Sequence, residues 1–460
     1  MTDRLSYDVK IWKTTVYAGK RGTTYTVRWT VAGAYFPKTF ATSALAESFR
    51  SKLVTAAADG KGFDRETGLP VSMRTEQAST SWYDFAVEYV DARWGDMAAN
   101  GRKNVARVLT AVTMATLKAT PRVPELEVRT ALREFAFNCN RRADAPTEVQ
   151  AILRWVQRNS QPMSLWEDPR RADQVWRDVT TRLDGTRVAA SSVKRIRRAL
   201  NPVLEYAVHK QALPTNPLPK QKAAARTKPN TAIDKRCLIS LEHTALLLDA
   251  IYHRPRGGPR LHAFFATLRY CGLRPEEAVA LRVSDVTLPE EGWGELTVHR
   301  ATPEVGRQWT DSGEIHDNRP LKGREAGDTR LVPVQPDLVK ILRAHIVRER
   351  LKPGDILFKG EFGGVLAGVV FRRAWKRARE QVFASQPHVL ASPMGRRVYD
   401  NRHSCLTEWL NGGTPPAQVA EWAGTSVALL HSTYARVVTG QKERVLAQLA
   451  VPVWVPGAPE

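Results

Sequence analysis

Residues 399–434 read YDNRHSCLTEWLNGGTPPAQVAEWAGTSVALLHSTY. The portion from Pro416, PAQVAEWAGTSVALLHSTY, has the pattern helix, glycine turn, helix, which suits a DNA-reading helix-turn-helix. The ends of the stretch point elsewhere. Arg402 near one end and Tyr434 at the other are side chains able to face a phosphate. The stretch is therefore either a reader of bases or a holder of reacting groups.

The rest of the composition narrows the partner. The chain has 460 residues, enough for two to four domains. Its 43% hydrophobic and 25% charged residues are ordinary for a globular protein. The 69 Lys and Arg against 47 Asp and Glu are not, and give a net charge of +22. Such an excess repels itself on compaction, so it implies a polyanionic partner: nucleic acid first, an anionic membrane surface second. No apolar run is long enough to span a bilayer, and MTDRLSYDVKIWK at the N-terminus lacks a signal-peptide core, so no membrane role is expected. Cys139, Cys237, Cys271 and Cys405 are scattered and form no CxxC pair. That argues against a disulfide framework and a zinc site, and suits a reducing cytoplasm.

Along the chain, VKIWKTTVYAG, TTYTVRWTVAG and AYFPKTFAT predict three short strands over residues 9–42, with turns at GKRG and AG. Alternation puts Tyr25, Val27 and Trp29 on one face and Thr26, Arg28 and Thr30 on the other. A helix follows over SALAESFRSKLVTAAADG, with Ser43 as N-cap and Gly60 past its end. Lys20, Arg21, Arg28 and Lys38 make this layer either a solvated basic sheet or a DNA-binding module. The polar DRETGLPVS breaks the pattern, so a linker is expected near residues 64–78. Residues 79–215 read as helices, the clearest being SSVKRIRRALNPVLEYAVHKQALPTNPL. Its Lys194, Arg195, Arg197 and Arg198 are candidates for phosphate contact, with a solvated helix face as the equal alternative. The non-periodic PLPKQKAAARTKPNT, with basic residues from Lys220 to Lys235 and Asp234 as the only acid among them, reads as an extended linker able to lie along a DNA backbone. Residues 236–450 form a last domain of helices with strands at GELTVHRAT and TRLVPV. The fold expected is thus multidomain and mainly α with small β-sheets.

Within ATLRYCGLRPEEAVALRVSDVTL, residues 266–288, a helix is expected to end at Gly272 and a new one to open at Pro275. Arg274 then sits at a helix start, where an anion is favoured, and Glu277 one turn on is placed to hold its guanidinium. Taken alone, the pair is better read as a structural helix-cap salt bridge with no further role.

Four segments together carry a resemblance. GLRPEEAVALRVSDV resembles the first box of the tyrosine recombinases, the phage-integrase family. LKGREAGDTRLVPV is similar to that family's lysine-bearing β-hairpin, with Lys322 as the match. YDNRHSCLTEWLNGG resembles its second box, with Arg402, and VAEWAGTSVALLHSTY the box that carries the nucleophile, with Tyr434. VRWTVAG, FDRETGLPVS and YAVHKQALPTNPL resemble integrases of actinobacterial mobile elements. Two positions depart from the pattern: Tyr399 stands where the second box usually has His, and Thr425 where the last box usually has His or Trp. His403, beside Arg402, matches a common family residue to which a structural role is given.

The resemblance implies an arm-type DNA-binding domain at 1–63, a helical core-binding domain at 79–217, a basic linker at 218–235 and a catalytic recombinase domain at 236–450. It implies a site-specific recombinase that cuts and rejoins DNA through a 3′-phosphotyrosine, integrating or excising a mobile element. Partners would be double-stranded attachment sites, three further copies of the chain in a homotetramer, and a small directionality factor. No cofactor and no metal are implied, and the sequence carries no GxxxxGK[ST] loop. Rival functions are a type IB topoisomerase-like enzyme and a catalytically impaired DNA-binding relative, the latter suggested by Tyr399 and Thr425. What the resemblance implies for the chemistry is that Arg274 and Arg402 clamp the nonbridging oxygens, Tyr434 attacks in line, and Lys322 protonates the leaving 5′ oxygen.

Overall fold

Strand β3 (Gly22–Val31) organises the N-terminal layer. One of its edges pairs antiparallel with β1 (Val9–Ile11) and then β2 (Thr15–Gly19), and the other with β4 (Ala34–Phe40). The first predicted strand is thus broken in two: between its halves Trp12 alone keeps the ladder, donating to the Arg28 carbonyl at 3.0 Å. Val27, Trp29 and Val31 pack against Phe49 and Leu53 of helix α1 (Ser43–Ala58), as the alternation requires. The cap of α1 is Thr42, one residue before the expected Ser43; its side chain accepts from the Leu45 N–H at 3.3 Å. The polar turn at 64–68 belongs to this core, while residues 71, 72 and 74–78 of the expected linker lie outside the described residues. Phe63 and Leu69 are buried in that core, and Trp29 Nε1 donates to the Gly68 carbonyl at 2.5 Å.

The structure, a computed structural model, describes residues 5–19, 22–70, 73, 80–182, 184–218, 233–320 and 328–434. Lys20, Arg21, Lys322 and most of the basic linker, residues 219–232, lie outside them. The chain divides into two compact units, Met1–Lys222 and Ala223–Glu460.

The first unit continues in helices, among them α2 (Trp82–Arg93), α3 (Ala99–Ala115), α4 (Thr147–Asn159), α5 (Pro169–Val179) and α6 (Ala190–His209). Helix α6 buries Ala199, Leu200, Val203, Leu204 and Ala207, a spacing of three and four that keeps one stripe inward.

The second unit is built around α8 (Gly258–Cys271), which is buried from Ala263 to Arg269 and packs beside α7 (Leu241–Tyr252). Phe264 and Phe265 meet Phe358, Phe371 and Trp375 in the main core. A three-stranded sheet covers it, with β6 (Gly294–Val298) between β5 (Val286–Thr287) and β7 (Arg330–Val334). Helices α10 (Pro336–Arg348) and α11 (Gly368–Val382) follow. The chain then closes with α12 (Asp400–Asn411), α13 (Pro416–Ala423) and α14 (Val427–Tyr434). Leu406, Leu410, Val419, Ala423, Leu430 and Tyr434 form a small core of their own among these three. The helix-turn-helix look of the sequence is therefore a packed scaffold: its last helix turns Leu430 and Tyr434 inward against α12. Among the described residues no helix is long and apolar enough to cross a membrane.

Candidate active site

The C-terminal end of α8 sets the site. Gly272 terminates the helix at φ +59, a left-handed conformation costly for other residues, and a Cβ there would lie 2.7 Å from Leu406 Cδ1. This close approach brings α8 onto α12. Buried Arg269 fixes the contact, with Nη1 2.8 Å from Glu408 Oε2 and Nε 2.9 Å from Thr244 Oγ1.

Two residues past Gly272, Arg274 caps the short helix α9 (Pro275–Ala278). Glu277, three positions on, accepts from the Arg274 backbone N–H at 3.0 Å and from its Nη1 at 2.6 Å. The other side of the carboxylate is held by Arg330 at the start of β7, with Nη2–Oε2 at 2.6 Å and Nη1–Oε1 at 3.2 Å. Glu277 is thus a buried carboxylate clamped between two guanidinium groups. Burial opposes its charge, but Arg330 and then Arg274 outweigh that and hold it down to about 2. A neutral Glu277 would leave both arginines without a counter-ion, so the low value is what keeps Arg274 in place.

Arg330 was absent from the sequence reading. Its signal was present: 330, 332 and 334 share one face of a strand whose Val332 and Val334 are core residues, and an arginine in that register must find an anion inside.

Arg402 projects from the first turn of α12 and is 3% exposed. Its Nη1 donates to the Gly272 carbonyl at 2.5 Å and its Nη2 to the Ala423 carbonyl at 2.7 Å. Arg274 Nη2 likewise donates to the Gly424 carbonyl at 3.0 Å. Burial, and then the charge of Arg274, lower the affinity of Arg402 for its proton. Two cations this close repel. They are held by helix-end carbonyls and Glu277, so the site stores positive potential before any anion arrives, as a preorganised electrostatic site requires.

Gly424 closes the ring of contacts. It sits at φ +61 at the end of α13, and a Cβ there would lie 2.8 Å from Arg330 Nη1. Thr425 follows, half-buried, with its N–H on the Ala420 carbonyl at 2.9 Å.

Tyr434, at the end of α14, is 5% exposed. Its hydroxyl lies 2.9 Å from Nδ1 of His403. Burial raises the tyrosine's pKa, while the nearby Arg402 charge pulls it down. Burial, then Arg397 and Arg402, push His403 down to about 4, so its ring is neutral at pH 7. Tyr399, one helical turn before His403, packs edge-on against the imidazole with ring centres 5.1 Å apart. Arg274, Glu277, Tyr399, Arg402, His403, Thr425 and Tyr434 thus come from three separated stretches into one neighbourhood of the second unit.

The residues singled out for DNA contact in the first unit divide. Lys194, Arg195 and Arg198 are exposed along α6, whereas Arg197 is half-buried with its guanidinium 5.9 Å from the Trp176 ring. Arg28 is exposed on the outer face of the sheet. Lys38 does not share that face. It pairs in register with buried Val27 and lies 4.6 Å from the Phe49 ring, on the side covered by α1. Burial accordingly lowers its pKa, with Lys210 adding to the effect. Among the described residues no three His, Cys, Asp or Glu side chains come together to hold a metal ion.

No family model matches the chain, and no curated protein matches it. Among solved structures it is similar to the Tn1549 transposon integrase in complex with transposon right end DNA, at 14% identity over 71% of this chain and 99% of that one, with a TM-score of 0.47. It is similar to the XerH site-specific recombinase in a post-cleavage complex, at 14% identity over 76% of this chain and 96% of that one, TM-score 0.44. A lambda integrase dimer bound to a core site matches at 12% identity over 93% of this chain and 95% of that one, TM-score 0.39.

Proposed function

We propose that the chain is a tyrosine recombinase that cuts and rejoins double-stranded DNA at specific sites through a 3′-phosphotyrosine, and so integrates or excises a mobile element. The observation that carries this reading is the juxtaposition of buried Arg402 and half-buried Arg274 with a tyrosine hydroxyl already bonded to a neutral imidazole.

The steps balance on this chain's residues. Arg274 and Arg402 exchange carbonyl partners for the nonbridging oxygens of a phosphodiester and bind them more strongly as charge builds. The Tyr434 oxygen attacks phosphorus as its proton passes to His403 Nδ1, which is the unprotonated nitrogen when Nε2 carries the hydrogen. The bond from phosphorus to the 5′ oxygen breaks, and that oxygen takes a proton from Lys322. Rejoining runs the same steps backwards, with the energy of the broken bond held in the phosphotyrosine. In this reading His403 is a catalytic residue, where the sequence suggested a structural one.

The remaining assignments follow the same reading. The sheet and helix at 1–63 would contact arm-type sites, the helices at 79–217 the core site through Lys194, Arg195 and Arg198, and 218–235 the backbone between. Four copies would assemble on paired attachment sites, with a directionality factor choosing between integration and excision. The net charge of +22 supports a DNA partner.

The test is covalent capture. A pool of random-sequence duplexes, nicked so that the cleaved 5′ fragment diffuses away, is incubated with the full chain and then denatured. Wild type should retain DNA covalently; Tyr434→Phe should retain none while binding duplex within a few fold. Retention by Tyr434→Phe would remove Tyr434 as the nucleophile, and no retention by wild type on any sequence would remove the reading.

A further inference from the structure

The opposite end of α8 opens onto a cavity of about 520 Å3 in the same unit. Its lining includes Arg254, Arg256 and Arg260 from the entry to α8, Lys359, and Arg373 and Arg377 from α11, against a single carboxylate, Glu361. Arg260 is neutralised by Glu349 at 2.9 Å and Lys359 by Asp355 at 3.0 Å. Arg254, Arg256, Arg373 and Arg377 have no ion-pair partner among the described residues. On the adjoining face of α11, by contrast, Arg372 and Lys376 do find acids, Glu304 at 3.8 Å and Glu380 at 3.6 Å. Arg373 and Arg377 are four apart, a spacing at which like charges repel along a helix. The N-terminus of α8 has no side-chain cap and adds the positive end of its dipole.

We propose that this cavity is a second phosphate-binding site, which takes the sugar–phosphate backbone of DNA lying outside the duplex held at Arg274 and Arg402. The 14 residues of α8 separate the two places, about 20 Å at 1.5 Å per residue. The distribution of polarity selects a backbone over a small phosphorylated ligand. A small-ligand pocket fixes its guest with a few buried polar groups. Here the buried lining residues, Leu261 and Leu366, are apolar, and the charge sits on the half-buried or exposed rim. Such a rim neutralises a continuous run of phosphates without reading sequence.

The inference rests on the proposed function only in taking DNA as the polyanion, and covalent capture on short nicked duplexes reads that function separately. The full chain is compared with Arg254→Gln/Arg256→Gln and Arg373→Gln/Arg377→Gln, with thermal melting as the control for folding. Binding is measured across a KCl series on random duplexes of core-site length and on duplexes several helical turns longer. Each lost phosphate contact removes about 0.9 from the log–log salt slope. Each double variant should therefore lower the slope on long duplexes by roughly 2 and weaken binding there about tenfold. Short-duplex binding and covalent capture should be unchanged. Unchanged slope and affinity on long duplexes would overturn the site. An equal loss on the short duplex would place these arginines in the core footprint and overturn the claim of a second one. Saturable binding of inorganic tripolyphosphate, lost in the variants while the DNA slope stays, would overturn DNA as the occupant.

Discussion

The hydroxyl of Tyr434 and Nδ1 of His403 are 2.9 Å apart, across 31 residues of chain. The imidazole is kept neutral by burial and by Arg397 and Arg402, and Tyr399 packs edge-on against it; the electrostatics of Tyr434 also feel Tyr399, Cys405 and Cys237. A neutral ring beside the nucleophile is the state in which a proton acceptor works.

His403→Ala should therefore slow covalent capture by about 100-fold, the lower range for a general base. His403→Gln keeps a hydrogen bond but takes no proton, and should be as slow. The sign of the pH effect follows from the lowered value of about 4: the wild-type rate falls only as acid protonates the ring, and stays flat through neutral pH. Full activity in His403→Gln, or an acid limb that persists unchanged in that variant, would show that His403 only positions the tyrosine.

Arg330→Ala should unfold the second unit more readily than Arg274→Ala. Arg330 is 1% exposed and Arg274 27% exposed on opposite sides of Glu277. Removing the buried partner leaves the buried carboxylate with half-buried Arg274 alone, a loss approaching the roughly 3–5 kcal/mol of a broken buried pair. Arg274→Ala should instead abolish capture at smaller cost in stability. Urea unfolding of both variants, beside capture, separates the two roles.

The same clamp makes the second unit acid-sensitive. Glu277 is held down to about 2 in the folded chain, below the usual carboxylate range. The folded state then binds fewer protons than the unfolded one between those values, so this contribution is complete above the unfolded pKa and is lost as pH falls towards about 2. Denaturant midpoints from pH 6 downward should drop in wild type (from about pH 5) and less steeply in Glu277→Gln.

Gly424→Ala should impair both folding and cleavage. It places a side chain at φ +61 and a methyl 2.8 Å from Arg330 Nη1, and it shifts the carbonyl that accepts from Arg274. Strain of about 1–3 kcal/mol is expected for the backbone alone. A melting temperature and capture rate equal to wild type would show that the turn relaxes freely.

Lys322→Ala should slow cleavage of an ordinary phosphodiester strongly and that of a 5′-bridging phosphorothiolate far less, since a thiolate leaves without a proton. Equal losses on both substrates would reduce Lys322 to a phosphate contact.

Several of these residues were legible in the sequence because their meaning is local. Gly272, Arg274, Pro275 and Glu277 spell a helix end, a cap and an i,i+3 pair, and the backbone geometry of helix termini is decided within a few residues. The alternation of Tyr25, Val27 and Trp29 is equally local, and sorts the strand into two faces without saying which of them is buried. The break at Trp12 and the face of Lys38 were not read, although Phe36, Lys38 and Phe40 alternate with it. Reading that face as covered required knowing that α1 packs there, and a period of two does not say which side is covered. Only the tertiary structure brought Arg330 to Glu277 across 53 residues and His403 to Tyr434 across 31. Those pairings depend on strand register and on how closely α8 approaches α12 at Gly272, quantities set by packing across the whole unit. The residue types and their order belong to the sequence, while the charge state of each group, and hence which of them can move a proton, was decided by burial among distant neighbours.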